Sequence, residues 1–373
     1  MRRGLKILHV ECGARLRGGA RQVLYLAEGL ERRGHKSVIL CYRHSAIFRE
    51  AKRRGLKVRG YPVWGLFWPL VGWYVFKAVR EERPDIVHLH SRRGADTWGA
   101  LGARLAHARA VVISRRVDYR LYPFPWTWAR LRWLCDHIIA VSENIKRVLL
   151  KAGVPEERIT VVRSATNLSR FEGLPTKEEA RRRLGIPSEA KVVVSVGYLQ
   201  PRKGQRFLIR AVPSILREVP EALFLIVGEG PLKERLSKLA RKLGVGGRVK
   251  FLGWREDVPL ILSASDLLVH TALLEGIPGV AMEAGAVGLP VVAFRAGGAP
   301  EVVVHRRTGL LVKPGDVSGL ARAVALLLKD GGKREDMGKA ARERVKQEFS
   351  AARMVEGNIE VYKKVALWRE KGQ

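Results

Sequence analysis

LLEGIPGVAMEAGAVGLPVVAF, Leu273–Phe294, carries two carboxylates, Glu275 and Glu283, in a run that is otherwise apolar or glycine. A protein interior accepts a carboxylate only when it is hydrogen-bonded or paired. Pro278-Gly279 divides the run. Proline sits well at a helix start, and the small, apolar residues of VAMEAGAV suit a buried helix. The stretch therefore reads as a loop holding Glu275, a helix starting at Gly279 with Glu283 about one turn inside, and a strand, PVVAF (290–294). Free backbone N–H groups from Gly279 onward make an anion site. Both glutamates would then lie near a bound phosphate without touching it. Glu283 could accept two ribose hydroxyls, and Glu275 could meet a sugar beyond the phosphates. The plainer alternative is that Glu283 pairs with an arginine and Glu275 is a solvated loop residue.

Working outward, DLLVHT (266–271) and GLLVKP (309–314) flank this stretch as further short apolar runs, preceded by KVVVSVGYL (191–199), ALFLIVGEG (222–230) and VKFLGW (249–254). The first half repeats the pattern: LKILHV (5–10), SVILC (37–41), LKVRGYPV (56–63), DIVHLH (85–90), AVVIS (110–114), HIIAVS (137–142) and ITVVRS (159–164). Runs without polar alternation, separated by helix-length segments, predict parallel sheets covered on both faces. A polar, charge-rich interval at 167–190 parts the two sets, and after 316 the pattern is helical. The expected fold class is α/β: two tandem Rossmann-like, doubly wound parallel-sheet domains facing each other across a deep cleft. The boundaries read as 1–170, a linker at 171–190, a second domain at 191–350, and a C-terminal helix at 351–373 that packs back on the first domain.

Among 373 residues, 69 Lys+Arg against 36 Asp+Glu give a formal net charge of +33. Such an excess implies an anionic partner: nucleic acid, a membrane surface or a phosphorylated substrate. The cations are spread along the chain rather than gathered in a tail, and no helix-turn-helix, RNA-recognition or zinc pattern is present. A nucleic-acid partner is therefore not expected. Cys12, Cys41 and Cys135 lie far apart, which argues against a disulfide framework or zinc site and suits a reducing cytosol. The opening MRRGLKILHVECG reads as a first strand, not a signal peptide. The apolar stretch 63–79, VWGLFWPLVGWYVFKAV, falls short of the ~20 residues that span a bilayer and reads as a buried or interfacial helix.

Other constellations point to the same kind of site. VGYLQPRKGQ (196–205) is a strand-to-helix turn with Arg202, Lys203 and Gly204 at the helix start. Cations are disfavoured there by the helix dipole unless an anion lies between. Gly18-Gly19 follows the first strand of the first domain as a weak phosphate or substrate loop. His88 and His90 are read as pointing to opposite faces of their strand, His88 packed under a helix and His90 reaching the ligand end. GGAPEVV (297–303) is a tight turn leading to a helix start with Glu301. SRRVDYR (114–120) offers Arg115, Arg116 and Asp118 to a second substrate, or forms a surface ion pair.

Together these segments resemble glycosyltransferase family 4, of the GT-B fold, over nearly the whole chain. EGIPGVAMEAGAVGLPVVA is similar to the family's E-x7-E motif with its trailing G-x-P-V-V-A, and GGAPEVV and TGLLVKPGD to the segments that follow. VGYLQPRKG resembles the V-G-R-L-x-x-x-K-G turn. GGARQVLYLAEGLERRGHKSVIL, DIVHLHS and VSENIKRVLLKAGVPEERITVV match the first-domain pattern. The resemblance implies a retaining, metal-independent transferase using a nucleotide-diphospho-sugar as substrate, with no further cofactor. Glu283 would hold the ribose, Glu275 would contact the donor sugar, and Lys203, with Arg202 and Gly279, would bind the pyrophosphate. Gly18 and Gly19 would admit phosphates and acceptor to the first, acceptor-side domain, and His90 would lie near the sugar. Two departures stand out: Tyr198 replaces the arginine of V-G-R-L, and SATN (164–167) replaces N-G-V-D. The charge and the Trp-rich 64–80 segment suggest a glycan or lipid-linked, anionic acceptor, as in lipopolysaccharide or cell-surface polysaccharide synthesis. Location would be cytoplasmic, with peripheral contact at the inner face of the cytoplasmic membrane. The competing classes are a sugar-nucleotide epimerase of the same fold and a basic nucleic-acid-binding protein.

Overall fold

The computed structural model describes residues 4–62, 68–90, 95–117 and 133–371. Asp118 and residues 63–67 of the Trp-rich segment lie outside them. Two compact units result: Met1–Ala165 with Ala351–Gln373, and Thr166–Ser350.

The first unit is built on seven parallel strands: β1 Lys6–Glu11, β2 Lys36–Tyr42, β3 Lys57–Tyr61, β4 Ile86–Leu89, β5 Val111–Arg115, β6 His137–Ala140 and β7 Ile159–Val161. Their order is β3-β2-β1-β4-β5-β6-β7. The helices are α1 Gly18–Glu31, α2 Ala46–Arg53, α3 Trp68–Glu82, α4 Ala100–Leu105 and α5 Glu143–Lys151. Serine hydroxyls cap two of them: Ser45 accepts from the Phe48 N–H and Ser142 from the Ile145 N–H, as expected of a short polar side chain at an N-cap.

The second unit has six parallel strands: β8 Lys191–Val196, β9 Ala222–Val227, β10 Val249–Gly253, β11 Leu267–His270, β12 Val291–Phe294 and β13 Gly309–Val312, in the order β10-β9-β8-β11-β12-β13. Its helices are α6 Lys177–Leu184, α7 Gln205–Glu218, α8 Lys233–Lys242, α9 Val258–Ser263, α10 Gly279–Ala286, α11 Ala299–Val302, α12 Val317–Lys329 and α13 Gly331–Glu348. The final helix, α14 Ala351–Lys371, belongs to the first unit, where it packs on α1. All thirteen apolar runs read from the sequence are strands, mostly one to three residues shorter than their apolar run.

The 171–190 stretch, expected as a linker, lies inside the second unit. Its charge has a structural use. Lys177 and Arg181 of α6 grip the buried Asp266 carboxylate, which also accepts the Val192 N–H at 2.6 Å. Arg181 Nη2 stands 2.8 Å from Asp266 Oδ2. This network ties α6 to the starts of β8 and β11.

Within the first unit, α3 and α4 meet through glycines. A Cβ on Gly102 would lie 2.0 Å from the Gly72 carbonyl oxygen, and one on Gly72 would lie 2.8 Å from that of Trp98. Close approach turns bulky side chains outward. Leu70, Trp73, Trp98, Leu101 and Leu105 are exposed, and Trp73 stacks on Phe76 with ring centroids 5.5 Å apart. The helix expected as buried or interfacial is thus apolar on both sides. Among the described residues no helix is long and apolar enough to cross a membrane.

Candidate functional site

In parallel α/β sheets, ligands bind at the carboxyl ends of strands. In the second unit the loops leaving β8 and β11 interlock there. A short 3-10 turn, Pro201–Lys203, precedes Gly204, whose φ of +67° is left-handed and precedes α7. A Cβ on Gly204 would lie 2.1 Å from the Thr271 carbonyl oxygen. Leu273 N–H donates to the Arg202 carbonyl at 2.8 Å, Thr271 Oγ1 to the Lys203 carbonyl at 3.3 Å, and Arg202 Nη1 to the Leu274 carbonyl at 3.1 Å. The loop–loop contact brings Lys203 Nζ onto Glu275 Oε2 as a close ion pair.

A third residue completes this group. His270 ends β11, is 5% exposed, and holds Nε2 3.8 Å from the same Glu275 Oε2. Burial pushes its pKa down to about 4, and the Lys203 ammonium adds to that. Burial alone would raise the Glu275 carboxyl, but Lys203, then His270 and Arg202, outweigh it and hold the pKa below its usual value. The site at rest is therefore a carboxylate paired with an ammonium beside a neutral imidazole. The sequence reading found Glu275 and Lys203 but missed His270. Its signal was a histidine closing the apolar DLLVHT run five positions before Glu275.

Gly279 opens α10, which has no side-chain cap on its first turn, and a Cβ there would meet nothing within 4 Å. Glu283 lies one turn in, with Oε1 3.4 Å from Arg170 Nη1. This is the arginine pairing weighed as the plainer alternative, and both side chains remain partly exposed. The 297–303 turn packs on the Glu275 loop: Gly298 N–H donates to the Glu275 carbonyl at 3.1 Å, and a Cβ on Gly298 would lie 2.1 Å from the Gly276 carbonyl oxygen. Glu301 lies in α11. Tyr198 accepts a backbone contact from Gln205 Nε2 at 3.4 Å.

The first unit gathers a different group. Gly18 and Gly19 form the first turn of α1 rather than a loop before it, and Gly19 faces Arg116, whose Cδ lies 3.6 Å from where a Cβ would be. Arg116 Nη1 is 3.4 Å from Ser164 Oγ and Nη2 is 3.4 Å from His90 Nδ1. Arg115 is buried at the end of β5. His88 and His90 share a face, with ring centroids 3.8 Å apart. The expectation of opposite faces is corrected by strand geometry, since residues two apart point the same way.

His9 on β1 joins them. His90 Nε2 and His9 Nδ1 are 3.0 Å apart, while His88 bonds Tyr362 Oη at 2.6 Å and Ser114 Oγ at 2.8 Å. Arg116 can only donate, so His90 Nδ1 accepts and its proton sits on Nε2, pointing to His9. His9 then carries its proton on Nε2, a buried atom with no hydrogen-bond partner among the described residues. Burial drives the His9 pKa down to about 3 and, with the neighbouring rings and Arg116, takes His88 and His90 well below the usual value. The three rings each place a nitrogen within 4.8 Å of the others, close enough to hold a metal ion. In this structure the nitrogens of His88 and His90 are engaged by protein donors and acceptors.

Two family models match the chain: Glycosyltransferase Family 4 over residues 16–170 and Glycosyl transferases group 1 over residues 176–344. The chain is 30% identical to the lipopolysaccharide core biosynthesis glycosyltransferase LpsD of Rhizobium meliloti over 295 residues, 79% of each chain. It is 36% identical over 255 residues to a GDP-mannose-dependent alpha-(1-6)-phosphatidylinositol monomannoside mannosyltransferase of Mycobacterium tuberculosis, covering 65% of this chain and 66% of that one. Among solved structures, Anabaena Alr3699/HepE in complex with UDP and glucose superposes with a TM-score of 0.83 at 25% identity, covering 96% of this chain and 100% of that one. With two parallel-sheet units and these matches, the chain is a glycosyltransferase of the GT-B fold and belongs to glycosyltransferase family 4.

Proposed function

We propose that the chain transfers a sugar from a nucleotide-diphospho-sugar to a glycan or lipid-linked acceptor, with retention of anomeric configuration and without a metal ion. The observation that carries this is the Lys203–Glu275 pair at the strand ends of the second unit, beside the α7 and α10 helix starts. An ammonium and uncapped helix N–H groups supply the charge neutralisation that a departing diphosphate needs. Lys203 and Arg202 take the pyrophosphate, with the Gly279 N–H. Glu283 leaves Arg170 to accept the ribose hydroxyls, and Glu275 contacts the donor sugar. The bond from the anomeric carbon to the diphosphate breaks, a bond to the acceptor oxygen forms, and the acceptor proton leaves with the diphosphate. The relatives named for GDP-mannose and for lipopolysaccharide core synthesis, and the neighbour holding UDP and glucose, support this donor and acceptor class.

Sugar transfer and slow donor hydrolysis, measured with UDP-glucose and GDP-mannose, test the reading. Glu275→Ala and Lys203→Ala are each expected to lower turnover by about 100-fold or more, in line with the loss of an electrostatic stabiliser. Full activity in both variants, or an inverted product anomer by NMR, overturns it. His90→Ala is expected to lower turnover while leaving nucleotide affinity in place, and unchanged turnover removes His90 from the catalytic set. Gly18 and Gly19 are assigned to the acceptor side, beside Arg116.

The exposed Trp73, Trp98 and Leu105 side chains of α3 and its neighbours, with a net charge of +33, support peripheral contact with an anionic membrane at the cytoplasmic face. Co-sedimentation with anionic vesicles, weakened in Trp73→Glu, is the expected result. Equal binding by wild type and variant argues against it.

A further inference from the structure

His270 Nε2 is buried and has no hydrogen-bond partner among the described residues, although Glu275 Oε2 lies 3.8 Å away. That separation is beyond a hydrogen bond by less than 1 Å. A buried polar atom left unmatched in one state of a site requires a reason. The reason is visible in what holds Glu275 now: the same carboxylate oxygen is taken by Lys203 Nζ. His270 stands second in line for an atom that is already occupied.

We propose that His270 is a positioning residue that takes a proton and engages Glu275 when Lys203 turns to the donor diphosphate. This rests on the assignment of Lys203 to the diphosphate. The charged groups facing His270 are Lys203 and Arg202 from the loop after β8, and Glu275 from the loop after its own strand. A diphosphate draws Lys203 and Arg202 toward itself and cancels their positive charge. The field that disfavours an imidazolium then falls, while the Glu275 carboxylate that favours one stays. A proton moves from solvent to the imidazole, and the imidazolium replaces the ammonium on Oε2. The carboxylate thus keeps its orientation toward the sugar through the exchange of partners. Both loops move little, because two bonds that involve neither cationic head already clamp them: Leu273 N–H to the Arg202 carbonyl and the Thr271 hydroxyl to the Lys203 carbonyl.

The probe is a nucleoside diphosphate, UDP or GDP, titrated calorimetrically near pH 6 in buffers of different ionisation enthalpy. Wild type is expected to take up a fraction of a proton on binding, less at pH 8. His270→Gln, which keeps a hydrogen-bond donor but cannot be charged in this range, is expected to bind with near-native affinity and no such uptake. Its kcat should fall about 10-fold with KM little changed, and the acidic limb of its pH–rate profile should shift. His270→Phe should lose more kcat than His270→Gln. Melting temperatures of both variants report whether they fold. If Lys203→Met binds the diphosphate as tightly as wild type, the donor-site reading itself fails. If Lys203→Met loses affinity but His270→Gln takes up the same protons at the same kcat as wild type, only the role of His270 is overturned. Unfolding of both His270 variants with no proton uptake by wild type overturns it equally.

Discussion

Acid should destabilise the first unit well before its carboxylates titrate. His9 and His88 are wholly buried and His90 is 3% exposed, with folded pKa values held far below 6.5, to about 3 for His9. In the unfolded chain each returns to about 6.5. Below that pH the unfolded state binds more protons than the folded one, so stability is present in full above 6.5 and lost as pH falls. For His9, moving from about pH 7.5 to about pH 5.5 removes on the order of 1 kcal/mol. His88 and His90, held low by the same burial, add to the loss in the same direction, against the roughly 5–15 kcal/mol that holds a typical domain. Exposure this low leaves little solvent screening to discount. Urea denaturation at the two pH values, followed by circular dichroism, reads the loss directly. Imidazole signals followed by NMR identify its source. A loss below about 1 kcal/mol, or signals of these three rings titrating near 6.5, would refute the argument.

Two further outcomes follow from close packing and buried charge. Gly204→Ala introduces a Cβ 2.1 Å from the Thr271 carbonyl oxygen at a φ of +67°. It should cost about 1–3 kcal/mol and weaken nucleoside diphosphate binding, since Lys203 is displaced with the loop; native melting and affinity together would contradict this. Asp266→Ala strips the carboxylate from Lys177 and Arg181. It should cost about 3–5 kcal/mol by chemical denaturation, and a loss under about 1 kcal/mol would show that α6 is not anchored by this network.

The strands were legible because parallel strands buried on both faces leave nothing polar to interrupt them; KVVVSV and ALFLIV could hardly be otherwise. The helix start at Gly279 was legible from Pro278, and the place of Glu275 before it followed. What composition hid was partnership. The charge of 171–190 read as a linker, yet Lys177 and Arg181 are there to meet an aspartate some eighty-five positions later. Glu283 could be placed on its helix, but Arg170 as its partner depends on the chain's path through the 3-10 turn at Leu168–Phe171. His270 went unread because its one signal, a histidine near the end of an apolar run, gives no sign of what lies beside it in space. The histidine pair was misjudged on geometry the sequence did contain: positions 88 and 90 must share a face. His9 could be added only once β1 was known to pair with β4, opposite His88.

The first unit is assembled from both ends of the chain. Gln22 holds Ala165 through both backbone groups, at 2.6 and 2.8 Å, where the chain departs. After a further 185 residues, Thr166–Ser350, α14 returns and delivers Tyr362 to His88. During synthesis, the first unit emerges early but lacks a wall of its core until residue 371 has been made. The second unit, continuous in sequence, has every part it needs sooner. The usual order, in which the amino-terminal domain folds first, is therefore reversed in opportunity. Of the two units, the one whose strands are made first is the later to close.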